Sequence, residues 1–151
     1  MEAEIAKVTQ FHHAVHAPIG SEPALLATNS ADARKLACQL RELLAETLSL
    51  VAGGDPLIAR VRMSLEETAE WVEAHADSNL IAAADAWADR CYVLLGDAVA
   101  SGLPASELFN AVHESNMTKA QVRGGDGKAA KAEAYKSPRI EAVLSHASSV
   151  S

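Results

Sequence analysis

The stretch LEETAEWVEAHADSNLIAAADAWAD, residues 65–89, decides the fold because it sets two acidic clusters in apolar sequence with helical spacing. The clusters are Glu66, Glu67 and Glu70, and then Asp85 and Asp89. Side chains three or four residues apart share one face of a helix, so each cluster crowds its carboxylates together. Asp77, Ser78 and Asn79 form a turn signal between the clusters. We therefore predict two neighbouring antiparallel helices that carry the acidic residues.

Helical periodicity runs through most of the remaining chain. The predicted helices cover residues 1–16, 31–51, 56–75, the segment from the turn to 101, and 106–119. Pro18 and Gly20 indicate a loop before the second helix, and a glycine-rich break at 124–127 precedes a short closing helix. The sequence has no strand alternation, internal repeat, glycine-rich phosphate loop or zinc-ligand spacing. These patterns predict one all-α domain. Its parts are an N-terminal helix and loop (1–30), a helical core (31–122) and a C-terminal arm (123–151).

Composition limits the class of protein. The 151 residues are 49% hydrophobic, which supplies a core without disulfides, and the formal net charge is −7. A protein that grips a nucleic-acid backbone needs a basic surface, so we expect no nucleic acid polymer as partner. The two cysteines, Cys38 and Cys91, are far apart in sequence and indicate free thiols in a reducing cytoplasm. Because no apolar run approaches the ~20 residues of a membrane helix, we expect a soluble, cytoplasmic protein.

The acidic clusters indicate phosphate chemistry. Like charges at helical spacing repel by roughly 0.2 to 0.5 kcal/mol per exposed pair, and the penalty grows where two acidic helices face each other. Divalent cations remove this conflict, and Mg²⁺ is commonly shared between carboxylates and the phosphates of a substrate. We therefore expect a Mg²⁺ cofactor, with Mn²⁺ as a substitute, and a phosphorylated small molecule as substrate.

The acidic runs also carry a family resemblance. The runs at 65–70 and 84–89 resemble the all-α nucleoside triphosphate pyrophosphohydrolases, the MazG-like superfamily. The run VHESNMTK at 112–119 is similar to the branch related to phosphoribosyl-ATP pyrophosphatase and to the dUTP-hydrolysing members. This last run is the most specific part of the resemblance, and residues 31–55 are the least familiar.

The resemblance implies a four-helix-bundle fold and hydrolysis of a nucleoside triphosphate to a monophosphate and pyrophosphate. We expect a deoxynucleotide such as dUTP or dCTP as substrate, in a house-cleaning role. The implied assembly is a homodimer or a dimer of dimers, with the predicted helix over 31–51 as a candidate interface.

The resemblance also implies the site residues. The implied catalytic residues are Glu66, Glu67, Glu70 and Asp89, and the implied metal ligands are these four and Asp85. The implied substrate-binding residues are Asn116, Lys119 and Lys136. The family usually spaces its second acidic pair by three residues, whereas Asp85 and Asp89 are four apart, a spacing that still shares a helix face. An open alternative is that one of the glutamates orients the attacking water instead of binding metal, and the sequence does not say which.

Two alternatives stay open. The first keeps the fold and changes the substrate to phosphoribosyl-ATP, although the extra N-terminal region and the missing companion domains count against it. The second is a non-catalytic helical regulator that binds a nucleotide or a partner helix. The intact set of mutually repelling carboxylates counts against this second alternative. Trp71 and Trp87 occupy apolar positions beside the motifs, which favours core or subunit packing over base stacking.

Overall fold

A computed structural model describes residues 1–51, 53–119 and 135–148 of the protein. Every regular element in these ranges is an α-helix, which confirms the all-α prediction. The helices are α1 (Glu2–Ala14), α2 (Ser30–Glu46), α3 (Leu48–Val51), α4 (Pro56–Ala76), α5 (Leu80–Ser101), α6 (Ala105–Met117) and α7 (Ile140–Ser148). Among these helices, none is both long and apolar enough to cross a membrane.

The chain forms two compact units. Unit 1 comprises Met1–Ser21 and Gly102–Ser151, and unit 2 comprises Glu22–Ser101. The single domain and its three predicted parts stay a prediction.

Unit 2 is built around α4, which packs against both α2 and α5. Each of these helices begins at a polar side chain that accepts hydrogen bonds from early backbone N–H groups. The capping residues are Asn29 for α2, Asp55 for α4 and Asn79 for α5. Such caps stabilise a helix by about 1 kcal/mol each. The breaks before α4 and after α5 use Gly54 and Gly102 at φ of 76° and 66°, a backbone conformation that glycine adopts without strain.

The predicted helix over 31–51 is two helices in the structure. α2 ends one residue before Thr47, and the four-residue α3 begins one residue after it. Thr47 Oγ1 donates to the carbonyl oxygen of Leu44 at 2.7 Å, and Arg62 Nη1 of α4 donates to the same oxygen at 2.9 Å. These donors compete for an acceptor that a continuing α-helix would use, so the helix breaks at Thr47.

Small side chains fill the contacts between the helices of unit 2. The buried alanines are Ala33, Ala37, Ala69, Ala74, Ala76, Ala83 and Ala86. Within the described ranges, no large side chain is fully buried. Alanines let helix backbones approach closely but each buries little apolar area. Polar contacts between the helices are therefore important for setting their register.

Unit 1 brings α6 against α1 and against α7. Lys7 Nζ of α1 donates to Asn110 Oδ1 of α6, and Ala111 and Ser115 of α6 are buried. The closing helix expected near the C-terminus is α7. The predicted glycine break at 124–127 lies outside the described residues.

Candidate active site

The side chain of Arg60 fixes the register between the antiparallel helices α4 and α5. Arg60 Nε donates to Asp97 Oδ1 at 2.6 Å, and Nη2 donates to a backbone carbonyl oxygen one turn earlier on α5. Both helices rise by about 1.5 Å per residue and run in opposite directions. Seven residues after Arg60 on α4 is Glu67, which therefore lies level with Arg90, seven residues before Asp97 on α5. Asp89 directly precedes Arg90. The register therefore brings the two acidic clusters side by side.

Glu67 lies at the centre of the acidic cluster. Its Oε2 atom is buried and, among the described residues, has no hydrogen-bond partner. Burial raises the pKa of Glu67 above its ordinary value of 4.5, and the charges of Glu70, Asp89, Glu66 and Asp85, in that order, raise it further. The charges of predicted metal ligands on both α4 and α5 therefore raise the pKa of this one carboxylate. We call these five residues the acidic face.

A guanidinium group borders the acidic face on the α2 side. Arg41 Nε donates to Glu73 Oε1 at 2.8 Å, and Arg41 Nη2 donates to Glu73 Oε2 at 2.6 Å. The same Nη2 atom lies 3.7 Å from Glu70 Oε1. The hydrogen bond from Arg41 lowers the pKa of Glu73. The bond to Glu73 and the charges of Glu73, Glu70 and Glu66 raise the pKa of Arg41.

The donor set of the acidic face suits a hard divalent cation. Mg²⁺ prefers carboxylate oxygens, and Glu67 Oε2, which accepts no hydrogen bond in the part of the chain that the structure describes, is an acceptor of this kind. In the described ranges, no three Asp, Glu, His or Cys side chains lie close enough together to hold a metal ion without moving. Carboxylates of like charge repel one another, and a shared cation removes that repulsion. The chemistry of the residues fits Mg²⁺, and their role as ligands stays a prediction.

The three predicted substrate-binding residues lie in unit 1, at the C-terminal end of α6. Lys119 N donates to the carbonyl oxygen of Asn116 at 3.0 Å. The carbonyl oxygen of Lys136 accepts from Ser115 Oγ at 2.7 Å, and Lys136 N donates to Thr118 Oγ1 at 2.9 Å. The structure therefore gathers Asn116, Lys119 and Lys136 at one helix end.

Trp71 contacts two polar side chains. Its ring centroid lies 4.6 Å from that of His75 in an edge-on arrangement, and Arg90 Cζ lies 4.6 Å from the same ring. A guanidinium over an indole ring is a favourable cation–π contact. Trp71 and His75 also line an open, mostly apolar pocket of about 310 Å³ with Leu26 and Leu36. Trp87, by contrast, is 46% exposed.

Comparison with known families decides the class of protein. A family model described as phosphoribosyl-ATP pyrophosphohydrolase matches residues 8–116, a range that includes both acidic clusters and Asn116. The chain belongs to this family. No curated protein and no solved structure matches the chain. This phosphoribosyl-ATP pyrophosphohydrolase family member is a pyrophosphohydrolase of the nucleotide pyrophosphatase kind, which acts on phosphoric anhydride bonds.

Sequence reasoning missed two residues at the border of this site, Arg41 and Glu73. Glu73 follows Glu70 by three residues and extends the acidic pattern by one helical turn, which is a signal in the sequence. Arg41 interrupts the leucine stripe of α2, which is a weaker signal. The spacing within α2 does not reveal which carboxylate of another helix the arginine contacts.

Proposed function

We propose that this pyrophosphohydrolase hydrolyses the bond between the α- and β-phosphates of a nucleoside triphosphate in a Mg²⁺-dependent reaction. The products are a nucleoside monophosphate and pyrophosphate. The supporting observation is the buried Oε2 atom of Glu67, which lies among four other carboxylates and has no hydrogen-bond partner within the described residues. Buried carboxylate oxygens in structural networks have hydrogen-bond partners, whereas a cation site keeps such oxygens for the ion or its water.

The carboxylates of the acidic face have two proposed roles, which are to bind cations and to accept a proton from water. Glu66, Glu67, Glu70 and Asp89 would hold Mg²⁺ together with Asp85. Mg²⁺ bound there supplies neutralisation of the triphosphate and a lowered pKa of the attacking water. Glu67 would accept a proton from that water at its buried Oε2 atom. The water oxygen bonds to the α-phosphorus, the bond to the bridging oxygen breaks, and pyrophosphate leaves with the electron pair.

The polar residues at the end of α6, within unit 1, are the proposed contacts to ribose and phosphate. Asn116 offers an amide donor and an acceptor that suit ribose hydroxyl groups. Lys119 and Lys136 offer point charges that suit phosphate oxygens. Lys136 is supported in this role by its two backbone hydrogen bonds to the end of α6.

Two kinds of triphosphate are candidate substrates. One is a deoxynucleotide such as dUTP or dCTP, which would make the protein a house-cleaning enzyme. The other is phosphoribosyl-ATP, which the family match supports equally well. The match begins at residue 8, so most of the N-terminal region that counted against phosphoribosyl-ATP lies inside it. Both substrates contain the same scissile anhydride bond, so they differ in contacts to the base and ribose rather than at the acidic face.

We also propose that the protein is a homodimer. Ile81, Tyr92 and Val99 of α5 are 84%, 80% and 84% exposed. With Leu95 they are spaced by eleven, three and four residues, which places them in one stripe along the helix. Identical apolar stripes on two copies cover each other about a two-fold axis. This support favours α5 over the predicted helix at 31–51 as the interface.

The test of the reaction is pyrophosphate release from a panel containing dUTP, dCTP, the other nucleoside triphosphates and phosphoribosyl-ATP. Each substrate is assayed with Mg²⁺, with Mn²⁺ and with EDTA. We expect metal-dependent release, and the ratio of kcat/KM values identifies the preferred substrate. If no substrate in the panel releases pyrophosphate, the enzymatic proposal is wrong and the non-catalytic helical regulator replaces it.

A further inference from the structure

Arg41 differs in its partners from the other arginines that connect α2 with α4. Arg34 donates to Asp77 at 2.8 Å, at the C-terminal end of α4, and Arg62 donates to a backbone carbonyl of α2. Arg41 instead pairs with Glu73 and reaches Glu70, a residue of the acidic face. It is therefore the arginine of this group that borders the proposed reaction site.

The pair with Glu73 fixes the guanidinium plane and leaves donors unused. The two hydrogen bonds use Nε and one N–H group of Nη2. A guanidinium carries five N–H groups, so three remain. In the part of the chain that the structure describes, Nη1 of Arg41 makes no hydrogen bond. The side chains of Arg41 and Glu73 are 37% and 38% exposed, so a ligand can reach the remaining donors.

A purely structural role accounts poorly for this arrangement. Ion pairs at this level of exposure contribute little to stability, about 0 to 1 kcal/mol by general experience with surface pairs. α2 and α4 are already joined by Arg34 and Arg62. A positive charge next to carboxylates that hold Mg²⁺ would oppose metal binding unless another anion shares the site. The triphosphate of the substrate is such an anion, with about four negative charges.

We propose that Arg41 is a substrate-binding residue whose guanidinium, anchored by Glu73, contacts oxygen atoms of the triphosphate beside the acidic face. This inference rests on the proposed function and deepens it. Arginine suits the task because its planar fork binds phosphate oxygens at two points and stays charged. Glu73 would hold the fork in place and would not bind metal.

The test is equilibrium binding of inorganic tripolyphosphate in the presence of Mg²⁺, together with KM and kcat for the preferred nucleotide. The variants are Arg41→Ala, Arg41→Lys and the matched control Arg34→Ala. We expect Arg41→Ala to weaken tripolyphosphate binding and to raise KM by about 10- to 100-fold, the loss expected for a hydrogen bond to a charged group. Arg41→Lys should be intermediate, because it keeps the charge and loses the fork. Arg34→Ala should stay within about threefold of wild type.

The outcomes separate this inference from the proposed function. If Arg41→Ala and Arg34→Ala bind tripolyphosphate equally well, or if the wild type does not bind it, the role of Arg41 is wrong. Failure of the wild type to release pyrophosphate from any nucleotide overturns the proposed function, whatever the binding measurements show. Thermal melting of each variant establishes that it is folded at the assay temperature, so an effect on binding is not one of unfolding.

Discussion

Arg60 of α4 donates to Asp97 of α5 at 2.6 Å, and this ion pair sits directly against Gly96. A Cβ atom added at Gly96 would lie 2.5 Å from Arg60 Nη2. The glycine therefore leaves room for the arginine that holds the two acidic helices in register.

Gly96→Ala should lower the free energy of unfolding by about 1 kcal/mol. The new methyl group displaces Arg60 from Asp97, and hydrogen bonds to charged groups are typically worth about 1.5–3 kcal/mol. Partial exposure reduces this loss, and the higher helix propensity of alanine offsets about 1 kcal/mol. Urea unfolding measures the result. In an Arg60→Ala background the same Gly96→Ala change should instead stabilise by up to about 1 kcal/mol. If Gly96→Ala changes the free energy of unfolding equally in both backgrounds, the contact between the new methyl group and Arg60 is not the cause.

The stability of the metal-free protein should depend on the ionisation of Glu67. Its pKa is raised in the folded state, so its contribution to stability is greatest below the ordinary value of 4.5 and is lost as pH rises through the folded pKa. The pKa of Glu73 is shifted in the opposite direction, so the contribution of Glu73 to stability is lost only as pH falls below 4.5. Above pH 4.5, Glu67 is therefore the member of this pair whose contribution to stability changes with pH.

We expect Mg²⁺ to raise the melting temperature more at pH 8 than at pH 5. At pH 8 in EDTA, Glu67→Gln should melt above wild type, because glutamine resembles the neutral acid and removes the repulsion. Mg²⁺ should then add little to the variant. The exposed residue Glu42 provides the control, and Glu42→Gln should respond to Mg²⁺ as wild type does. A Mg²⁺ effect that is equal in Glu67→Gln and wild type would place the ion elsewhere.

The apolar stripe on α5 predicts a dimer that charge disrupts. Val99→Glu or Tyr92→Glu places a carboxylate in a surface that a second copy would cover, and an unpaired buried charge is costly. Sedimentation at matched concentrations should show wild type at twice the monomer mass of 15.9 kDa and these variants at the monomer mass. Ala100→Glu is the control, because Ala100 is exposed but lies about 100° around the helix from Val99. Monomeric wild type would reject this interface.

The lysine at the end of α6 should contribute to substrate binding. We expect Lys119→Ala to raise KM for the preferred triphosphate by about tenfold, the loss of one charged contact, with a smaller change in kcat. Lys35→Ala, at an exposed position of α2, is the matched control and should leave KM within about twofold. Equal KM values for the two variants would remove Lys119 from the binding site.

Local chemistry explains why so much of unit 2 could be predicted. Asn29 has the side chain that caps a helix, and the Gly53–Gly54 pair ends one, so the loop before α2 and the break before α4 follow from neighbouring residues. The acidic face could be predicted for the same reason, because spacing within each helix sets which carboxylates share a face.

The features that could not be predicted depend on contacts between helices. The break at Thr47 involves Arg62, which comes from the next long helix. The pairing of Arg41 with Glu73 joins residues 32 positions apart, and no local pattern selects that partner. The burial of Glu67 Oε2 likewise arises only once α4 is packed in the fold. Helical periodicity identifies the faces of a helix but not their partners.

The most direct test of the role of Glu67 is Mg²⁺-dependent pyrophosphate release by wild type, Glu67→Gln and the control Glu42→Gln, each with Mg²⁺ or EDTA and with the preferred nucleotide at saturation. We expect equal release by wild type and Glu42→Gln, none in EDTA, and a kcat for Glu67→Gln that is lower by about 100- to 10,000-fold, the range for loss of a general base. Glu67→Gln should nevertheless remain folded. A folded Glu67→Gln that turns over at the wild-type rate would contradict the central role of this carboxylate.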